Sequence, residues 1–261
     1  MRHEVLTVPA ACDWVSGYGP YQSGGWGTLS LLNATGRATD VTIADCEPGP
    51  TDLLAAMPAT RTWLAELGLT YMWARIARLD AASYLWEHRD YRELADVERH
   101  RLHIPIETSP SAFLVLSGRA IHLQPGKIWR LTPTYAHGAV NLHGPARIHL
   151  ILDCYANPAL DALSSGAHLP EAAVRQLPAP TAEMTGRLIS QARSLLRLGF
   201  AHAAEQYLLR SFFTYAQPEG HIYDLISAMH ESEGAPGDAE VWRDRKSTLL
   251  GTPKTTATRQ E

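Results

Sequence analysis

The residues of this 261-residue chain best suited to metal chemistry are two histidines and an aspartate. His88 and Asp90 are two positions apart, and alternate residues of a β-strand point to the same face. One imidazole nitrogen and one carboxylate oxygen can therefore approach a common point. His137, from a later strand, would supply a third ligand. The spacing predicts a metal site built from these three side chains.

Two imidazoles and one carboxylate occupy one face of an octahedral ion and leave the other positions open, which is the pattern of non-heme Fe(II) oxygenases. Arg147 follows His137 by ten positions, and Gly144-Pro145 between them is typical of a turn. A hairpin there would place Arg147 across from His137. Its planar guanidinium is suited to binding a carboxylate in a bidentate way. We therefore predict that Arg147 anchors a dicarboxylate co-substrate, 2-oxoglutarate, beside the metal.

The His-x-Asp pair alone is weak evidence, because roughly 0.5 such pairs are expected by chance in a chain with this many His and Asp residues. The alternative interpretation makes His88 and Asp90 an exposed strand pair and His137 a hydrogen-bonded core residue. Spacing leaves both interpretations open.

Composition excludes several classes of function. The formal net charge of −4 does not favour nucleic acid or an anionic membrane as a partner. Three cysteines, Cys12, Cys46 and Cys154, are too few and too distant for a disulfide framework or a Cys-based zinc site. No apolar stretch is long enough to span a bilayer, and the first residues lack an apolar signal core. We therefore expect a cytoplasmic protein with a small-molecule substrate.

The chain changes character along its length. Residues 51–68 predict helix, with Thr51 or Asp52 as the cap and Pro58 starting a second segment. Residues 69–155 contain many short apolar runs separated by turn residues about every ten positions, which indicates a double-sheet jelly roll or barrel. Residues 181–249 have helical periodicity in four segments. This helical part could cover the roll, form a lid or mediate a homodimer.

We accordingly divide the chain into three parts. Residues 1–158 are predicted to form the jelly-roll core with an N-terminal helical segment. Residues 159–250 form the C-terminal helical region, and residues 251–261 form a disordered tail.

Ordered motifs across the core resemble a known family. The sequence is similar to the aspartyl/asparaginyl β-hydroxylase family of Fe(II)/2-oxoglutarate oxygenases, and within it to bacterial L-proline hydroxylases of the proline 3-hydroxylase type. The similarity runs from about Gly24 to Tyr155. Its landmarks are Gly24-x-Trp26, Asn33-Ala34-Thr35-Gly36, His88-Arg89-Asp90, Arg101 before Ile104-Pro105-Ile106, Pro125-Gly126-Lys127-Ile128-Trp129, His137-x-Ala139-Val140-Asn141 and Arg147.

The resemblance implies a double-stranded β-helix, cupin-like, followed by helices. It implies Fe(II) bound by His88, Asp90 and His137, and 2-oxoglutarate held through Arg147. His103 matches the Arg-x-His of the wider family and is assigned to the co-substrate, although the proline hydroxylases have an aromatic residue there. Candidates for binding substrate carboxylates are Arg101, Arg75 and Arg78.

The implied reaction uses O2 and 2-oxoglutarate to hydroxylate an aliphatic C–H of a free amino acid, with release of succinate and CO2. Desaturation or ring formation, and a peptidyl or carrier-bound Asp or Asn substrate, remain open. Two other interpretations also remain. His137 and Asn141 fit half of a cupin metal motif, and the same roll could serve as a non-catalytic small-molecule binding protein.

Overall fold

The computed structural model describes residues 1–8, 13–17, 19–90 and 97–251. Its strands form two antiparallel sheets. In chain order the strands are β1 Trp26–Asn33, β2 Gly49–Pro50, β3 Tyr71–Leu79, β4 Ser83–His88, β5 His100–Glu107, β6 Ala112–Leu116, β7 Arg119–Ile121, β8 Trp129–Leu131, β9 His137–Asn141, β10 Arg147–Cys154 and β11 Val174–Gln176. The larger sheet has the order β2-β1-β3-β10-β5-β8, and the smaller has the order β11-β7-β6-β9-β4.

Helices lie on both sides of this pair of sheets. They are α1 Arg2–Thr7, α2 Asp52–Ala55, α3 Pro58–Glu66, α4 Pro158–Ser164, α5 Ala182–Arg197, α6 Ala201–Arg210, α7 His221–Ser232 and α8 Pro236–Leu250. The predicted N-terminal helix signals are confirmed: the Thr51 side chain accepts from the Leu54 amide, and Pro58 stands in the first turn of α3. The proline is tolerated there because a first-turn amide has no intrahelical partner.

The strands are buried on both faces because each sheet has a covered outer face. On the larger sheet, outward residues such as Leu150 and Ile76 pack with α1, α2 and α3. On the smaller sheet, Trp86 and Val140 pack against the C-terminal helices. Apolar side chains of both sheets, including Leu114 and Ile151, form a third cluster. All eight residues of β10 are buried. The predicted fold class, a double-sheet jelly roll followed by helices, is confirmed.

The predicted hairpin between His137 and Arg147 is wrong. Strand β9 pairs with β4 and β6 in the smaller sheet, whereas β10 pairs with β3 and β5 in the larger one. The chain crosses from one sheet to the other at Leu142–Ala146. His137 and Arg147 are therefore on facing sheets and not on neighbouring strands.

Among the described residues, none of the helices is both long enough and apolar enough to cross a membrane. The proposed division at residues 158 and 250 stays a prediction. Residues 252–261 of the predicted tail lie outside the described residues, as do residues 91–96, directly after Asp90.

Candidate metal and co-substrate site

A cavity between the two sheets brings together most of the residues singled out from the sequence. It is a partly open cleft with about 420 Å³ of space between its lining atoms, open solvent included. Polar groups line it in an otherwise apolar interior: His88, Asp90 and His137 on one side, and Arg75, Arg101, His103 and Arg147 on the other.

A β-bulge in β4 turns His88 into this cavity. Leu85 pairs with Ala139 and His88 pairs with His137, so three steps on β4 match two steps on β9. Leu85 and His88 both line the cavity, although residues three apart on a regular strand point to opposite faces. The extra residue of the bulge resolves this conflict, and re-aiming a side chain beside a site is a recurrent use of bulges.

The three predicted ligands converge. One ligand atom from each of His88, Asp90 and His137 lies within 4.8 Å of the others. The Nε2 atom of His88 is 3.4 Å from Oδ1 of Asp90, and Nε2 of His137 is 3.5 Å from Oδ2. All three residues are buried. The alternative interpretation of an exposed strand pair is therefore wrong.

Backbone carbonyls set the tautomers of both histidines. Nδ1 of His88 lies 2.6 Å from the Trp86 carbonyl oxygen, and Nδ1 of His137 lies 2.8 Å from that of Tyr135. A carbonyl oxygen only accepts, so each Nδ1 carries the proton and donates it. Each Nε2 then offers a lone pair toward the common point, which is the usual arrangement of metal-binding histidines.

Asp90 stays ionised despite its burial. Burial raises the pKa of Asp90, but the Arg101 guanidinium and the two imidazoles outweigh this and hold the pKa well below its usual value. Burial lowers the pKa of His137 to about 4. The set presents two imidazole nitrogens and one carboxylate, and this donor set fits Fe(II) in a facial triad.

Arg147 is buried and lines the same cavity as the three candidate ligands, without a carboxylate partner among the described residues. Its Nη2 donates to Nδ1 of His149 over 3.0 Å. Burial lowers the pKa of Arg147 to about 10, so the guanidinium remains charged at neutral pH. A buried cation that faces a cavity is suited to an anionic group of a ligand.

The contact with Arg147 also determines the protonation of a histidine pair. A guanidinium only donates, so Nδ1 of His149 is an acceptor. Nδ1 of His103 lies 3.4 Å from the same atom, and we assign the proton of this pair to His103 because two facing lone pairs would repel. Nε2 of His103 then carries a lone pair. That nitrogen is buried and has no hydrogen-bond partner within the described structure.

Asp153 holds the remaining two arginines of the cavity. Arg101 contacts it through Nε at 2.9 Å and also pairs with Asp90, while Arg75 pairs with its other oxygen. The Arg75 guanidinium lies over the Trp73 ring at 3.8 Å from the centroid. Arg101 thus orients the carboxylate of Asp90, a role that outer-sphere partners of metal ligands commonly have.

Arg78 does not reach the cavity. It is three positions from Arg75 on β3 and therefore points to the opposite face. Its Nε pairs with Asp80 at 2.6 Å, and the side chain is about one-third exposed. This position gives no support to the predicted substrate-binding role of Arg78.

The half-match to a cupin motif has a structural explanation. The amide nitrogen of Asn141 donates to the carbonyls of Leu79 and Pro145, so this side chain ties β9 to β3 and to the crossover. It is not a member of the ligand cluster.

The sequence analysis did not single out two buried polar residues of this site, His149 and Asp153. Both share the face of Arg147 on β10, and the alternation of 147, 149, 151 and 153 was the signal that could have revealed them.

Comparisons with known proteins identify the family of this chain. The family model described as aspartyl/asparaginyl β-hydroxylase matches residues 2–157. An L-proline cis-4-hydroxylase of Rhizobium meliloti (strain 1021) is 24% identical over 262 residues, covering 95% of this chain and 90% of the relative. L-proline cis-3-hydroxylase 2 of Streptomyces sp is 31% identical over 143 residues, which is 52% of this chain and 49% of that protein.

Among solved structures, an oxidoreductase of the 2OG-Fe(II) oxygenase family from Burkholderia pseudomallei is similar in fold. The aligned region covers 59% of this chain and 76% of the other chain, with 14% identity and a TM-score of 0.41. The family model alone spans more than half of the chain. The chain therefore belongs to the aspartyl/asparaginyl β-hydroxylase family, and it is an oxygenase enzyme, as the resemblance predicted.

Proposed function

We propose that this protein is an Fe(II)/2-oxoglutarate-dependent dioxygenase that hydroxylates an aliphatic C–H of a free, proline-like amino acid, with release of succinate and CO2. The observation that carries the proposal is the convergence of His88, Asp90 and His137 in a buried cavity. When bound, Fe(II) with 2-oxoglutarate and O2 supplies the oxidising chemistry, and the protein orients the reactants. We place the activity in the cytoplasm.

Arg147 is the anchor for 2-oxoglutarate in this proposal. Its guanidinium is buried on the sheet that faces the metal ligands. A carboxylate would compensate its charge and accept two N–H bonds in the fork geometry. Holding the far carboxylate in this way would leave the 2-oxo acid end directed at the metal.

The charge of the cavity favours a substrate with one carboxylate. The lining and its partner Asp153 carry three arginines and two carboxylates, which is 3 − 2 = +1 with neutral imidazoles. Fe(II) and doubly charged 2-oxoglutarate cancel each other. One positive charge remains, and Arg101 or Arg75 would attract the carboxylate end of a zwitterionic amino acid, whose ammonium group points elsewhere. A substrate bound to a carrier through its carboxyl group would have no carboxylate for these arginines.

His103 suits the nitrogen of the substrate better than the co-substrate. With its proton on Nδ1, its Nε2 accepts a hydrogen bond, and 2-oxoglutarate has no N–H or O–H to offer at neutral pH. Burial and the nearby Arg147 hold the pKa of His103 well below its usual value, so it does not become a donor by protonation. The ammonium or imino N–H of an amino acid provides the donor that this nitrogen lacks.

Succinate release from 2-oxoglutarate, measured across a panel of free amino acids with Fe(II) and O2, tests the proposal. We expect strong stimulation by proline or a related cyclic or aliphatic amino acid, and a product heavier by one oxygen atom. A product lighter by two hydrogens would indicate desaturation or ring formation instead. Stimulation only by peptides or carrier-bound acyl groups would contradict the assignment to free amino acids.

Anaerobic addition of Fe(II) and 2-oxoglutarate separates this enzyme from a non-catalytic binding protein. Chelation of the metal by the 2-oxo acid should produce a weak visible charge-transfer band. His137→Ala is the matched control, because it removes one ligand atom and should remove the band. Absence of the band in the wild type would contradict the oxygenase proposal.

A further inference from the structure

We propose that the C-terminal helices α7 and α8 are part of the metal site, because they hold residues 87–89 from outside and so position both His88 and Asp90. This inference rests on the proposed metal centre. The family match ends at residue 157, so it assigns no role to these helices.

The side chains of residues 87–90 point alternately to the two faces of the sheet, so the candidate ligands and their neighbours make different contacts. His88 and Asp90 face the cavity, while Glu87 and Arg89 point to the helices. The Gly220 amide, at the start of α7, donates to Oε2 of Glu87 over 2.9 Å. The Tyr223 hydroxyl donates to the backbone carbonyl of Glu87 over 2.5 Å. Both Glu87 and Tyr223 are buried, so these bonds are shielded from water.

Arg89 makes the second set of contacts. Its backbone amide donates to the Leu249 carbonyl over 2.9 Å, and its Nε donates to the Leu250 carbonyl over 3.2 Å. Its Nη2 pairs with Glu219 at 2.5 Å, just before α7. The main chain and side chain of Arg89 are thus both fixed to the ends of the helices.

The same arginine also contacts the loop that precedes the third ligand, His137. Nη1 of Arg89 donates to the carbonyl of Thr134, and the Asp90 amide donates to the carbonyl of Pro133 over 3.0 Å. This loop leads into His137 and also contains the Tyr135 carbonyl that orients its ring. One cluster of bonds to α7 and α8 therefore restrains all three metal ligands.

The bulge explains why an outside support is needed here. Between Leu85 and His88 the β4–β9 ladder is interrupted, and a bulge leaves its extra residue unpaired. The Tyr223 hydroxyl supplies a partner for the Glu87 carbonyl at this point. Simple helix packing would be satisfied by apolar contacts, whereas these bonds end on the backbone beside a metal ligand.

Removal of one hydroxyl tests the inference. Tyr223→Phe keeps the ring and deletes the bond to Glu87. Tyr207→Phe is the matched control, since its hydroxyl contacts Gln191 at the more exposed α5–α6 pair. Co(II) affinity is measured by anaerobic titration of the full chain, followed by its visible d–d bands. We expect about tenfold weaker binding and altered bands for Tyr223→Phe, at the lower end of effects of outer-sphere changes, and no change for the control.

Arg89→Lys is a second variant, which keeps the positive charge but loses the planar set of guanidinium N–H donors. Arg243→Lys on α8 is its control. We expect weaker Co(II) binding for Arg89→Lys alone. Lower thermal stability with unchanged Co(II) affinity and bands in both Tyr223→Phe and Arg89→Lys would overturn the inference. Failure of the wild type to bind Co(II), or equal binding by His137→Ala, would instead count against the proposed function.

Discussion

Replacing Arg147 with methionine should have opposite effects on stability and on co-substrate binding. In the metal-free protein this guanidinium is buried and donates a hydrogen bond to the neutral imidazole of His149. Burial lowers its pKa from the ordinary 12.5 to about 10. At about 1.4 kcal/mol per pKa unit, the buried charge costs the fold about 3 kcal/mol.

Methionine removes that cost but also removes the hydrogen bond from the charged guanidinium to Nδ1 of His149, a loss of about 1–2 kcal/mol, while the N–H of His103 remains opposite that atom. The free energy of unfolding should therefore rise by about 1–2 kcal/mol. At roughly 2–4 °C per kcal/mol for chains of this size, the midpoint of thermal unfolding should rise by a few degrees. Loss of the buried charge partner should weaken 2-oxoglutarate binding by about 2–5 kcal/mol, which is about 30-fold to several thousand-fold.

Thermal unfolding of the metal-free protein and anaerobic calorimetry with 2-oxoglutarate measure the two effects. Arg78→Met is the matched control, because Arg78 lies on the same sheet, pairs across from Ile148 and points away from the cavity. It should change either quantity by less than about 0.5 kcal/mol. Unchanged 2-oxoglutarate affinity in Arg147→Met would refute the anchor role, and a lower unfolding midpoint would refute the reasoning about buried charge.

Three further perturbations follow from the site. Alanine at any of the three ligands should abolish both metal binding and succinate production, and full turnover in one variant would remove that residue from the ligand set (His88→Ala, Asp90→Ala, His137→Ala). Asp153→Asn removes the carboxylate that pairs with both Arg75 and Arg101 in the buried cavity and should lower the free energy of unfolding by about 3–5 kcal/mol. Burial raises the pKa of Asp153, but the Arg101 and Arg75 guanidinium groups outweigh this and hold it below the ordinary 3.8 of an unfolded aspartate. The contribution of Asp153 to stability is therefore present above about pH 4, and the difference from wild type should shrink below that pH in denaturant titrations. Gly138→Ala would place Cβ 2.8 Å from the Phe212 ring and 3.0 Å from a β4 carbonyl oxygen. The free energy of unfolding should fall by about 1–3 kcal/mol and recover in part in the double variant with Phe212→Leu. Full stability of the single variant would contradict the close packing of β9 on the helical region.

Local sequence patterns were sufficient to predict most secondary-structure elements and much of the candidate ligand set. Thr51 as a cap, Pro58 in a first turn and the four C-terminal helices all follow from short-range rules about backbone groups and periodicity. Residues two apart on a strand share a face, and Arg101 and His103 of β5 accordingly both line the cavity. The same rule, applied strictly, would have shown that Arg75 and Arg78 cannot both face the cavity.

Pairing between distant strands was outside the reach of these rules. The turn residues Gly144-Pro145 indicated a reversal, and a reversal within one sheet or a crossover between sheets uses similar residues. Which one forms depends on the partners that β9 and β10 find elsewhere, and those are β4 and β6 for one and β3 and β5 for the other. Arg147 consequently reaches the cavity from the sheet opposite His137.

The amino-acid sequence by itself determined which donors and charges are available and on which face of each strand they lie, because side-chain direction in a strand is a local property of the backbone. Only the tertiary structure decided that β4 bulges before His88, that Asp153 joins Arg75 to Arg101, and that α7 and α8 hold the motif from behind. Each of these depends on contacts between residues far apart in the chain. Their geometry is set by the packing of whole layers and is not encoded in any short segment.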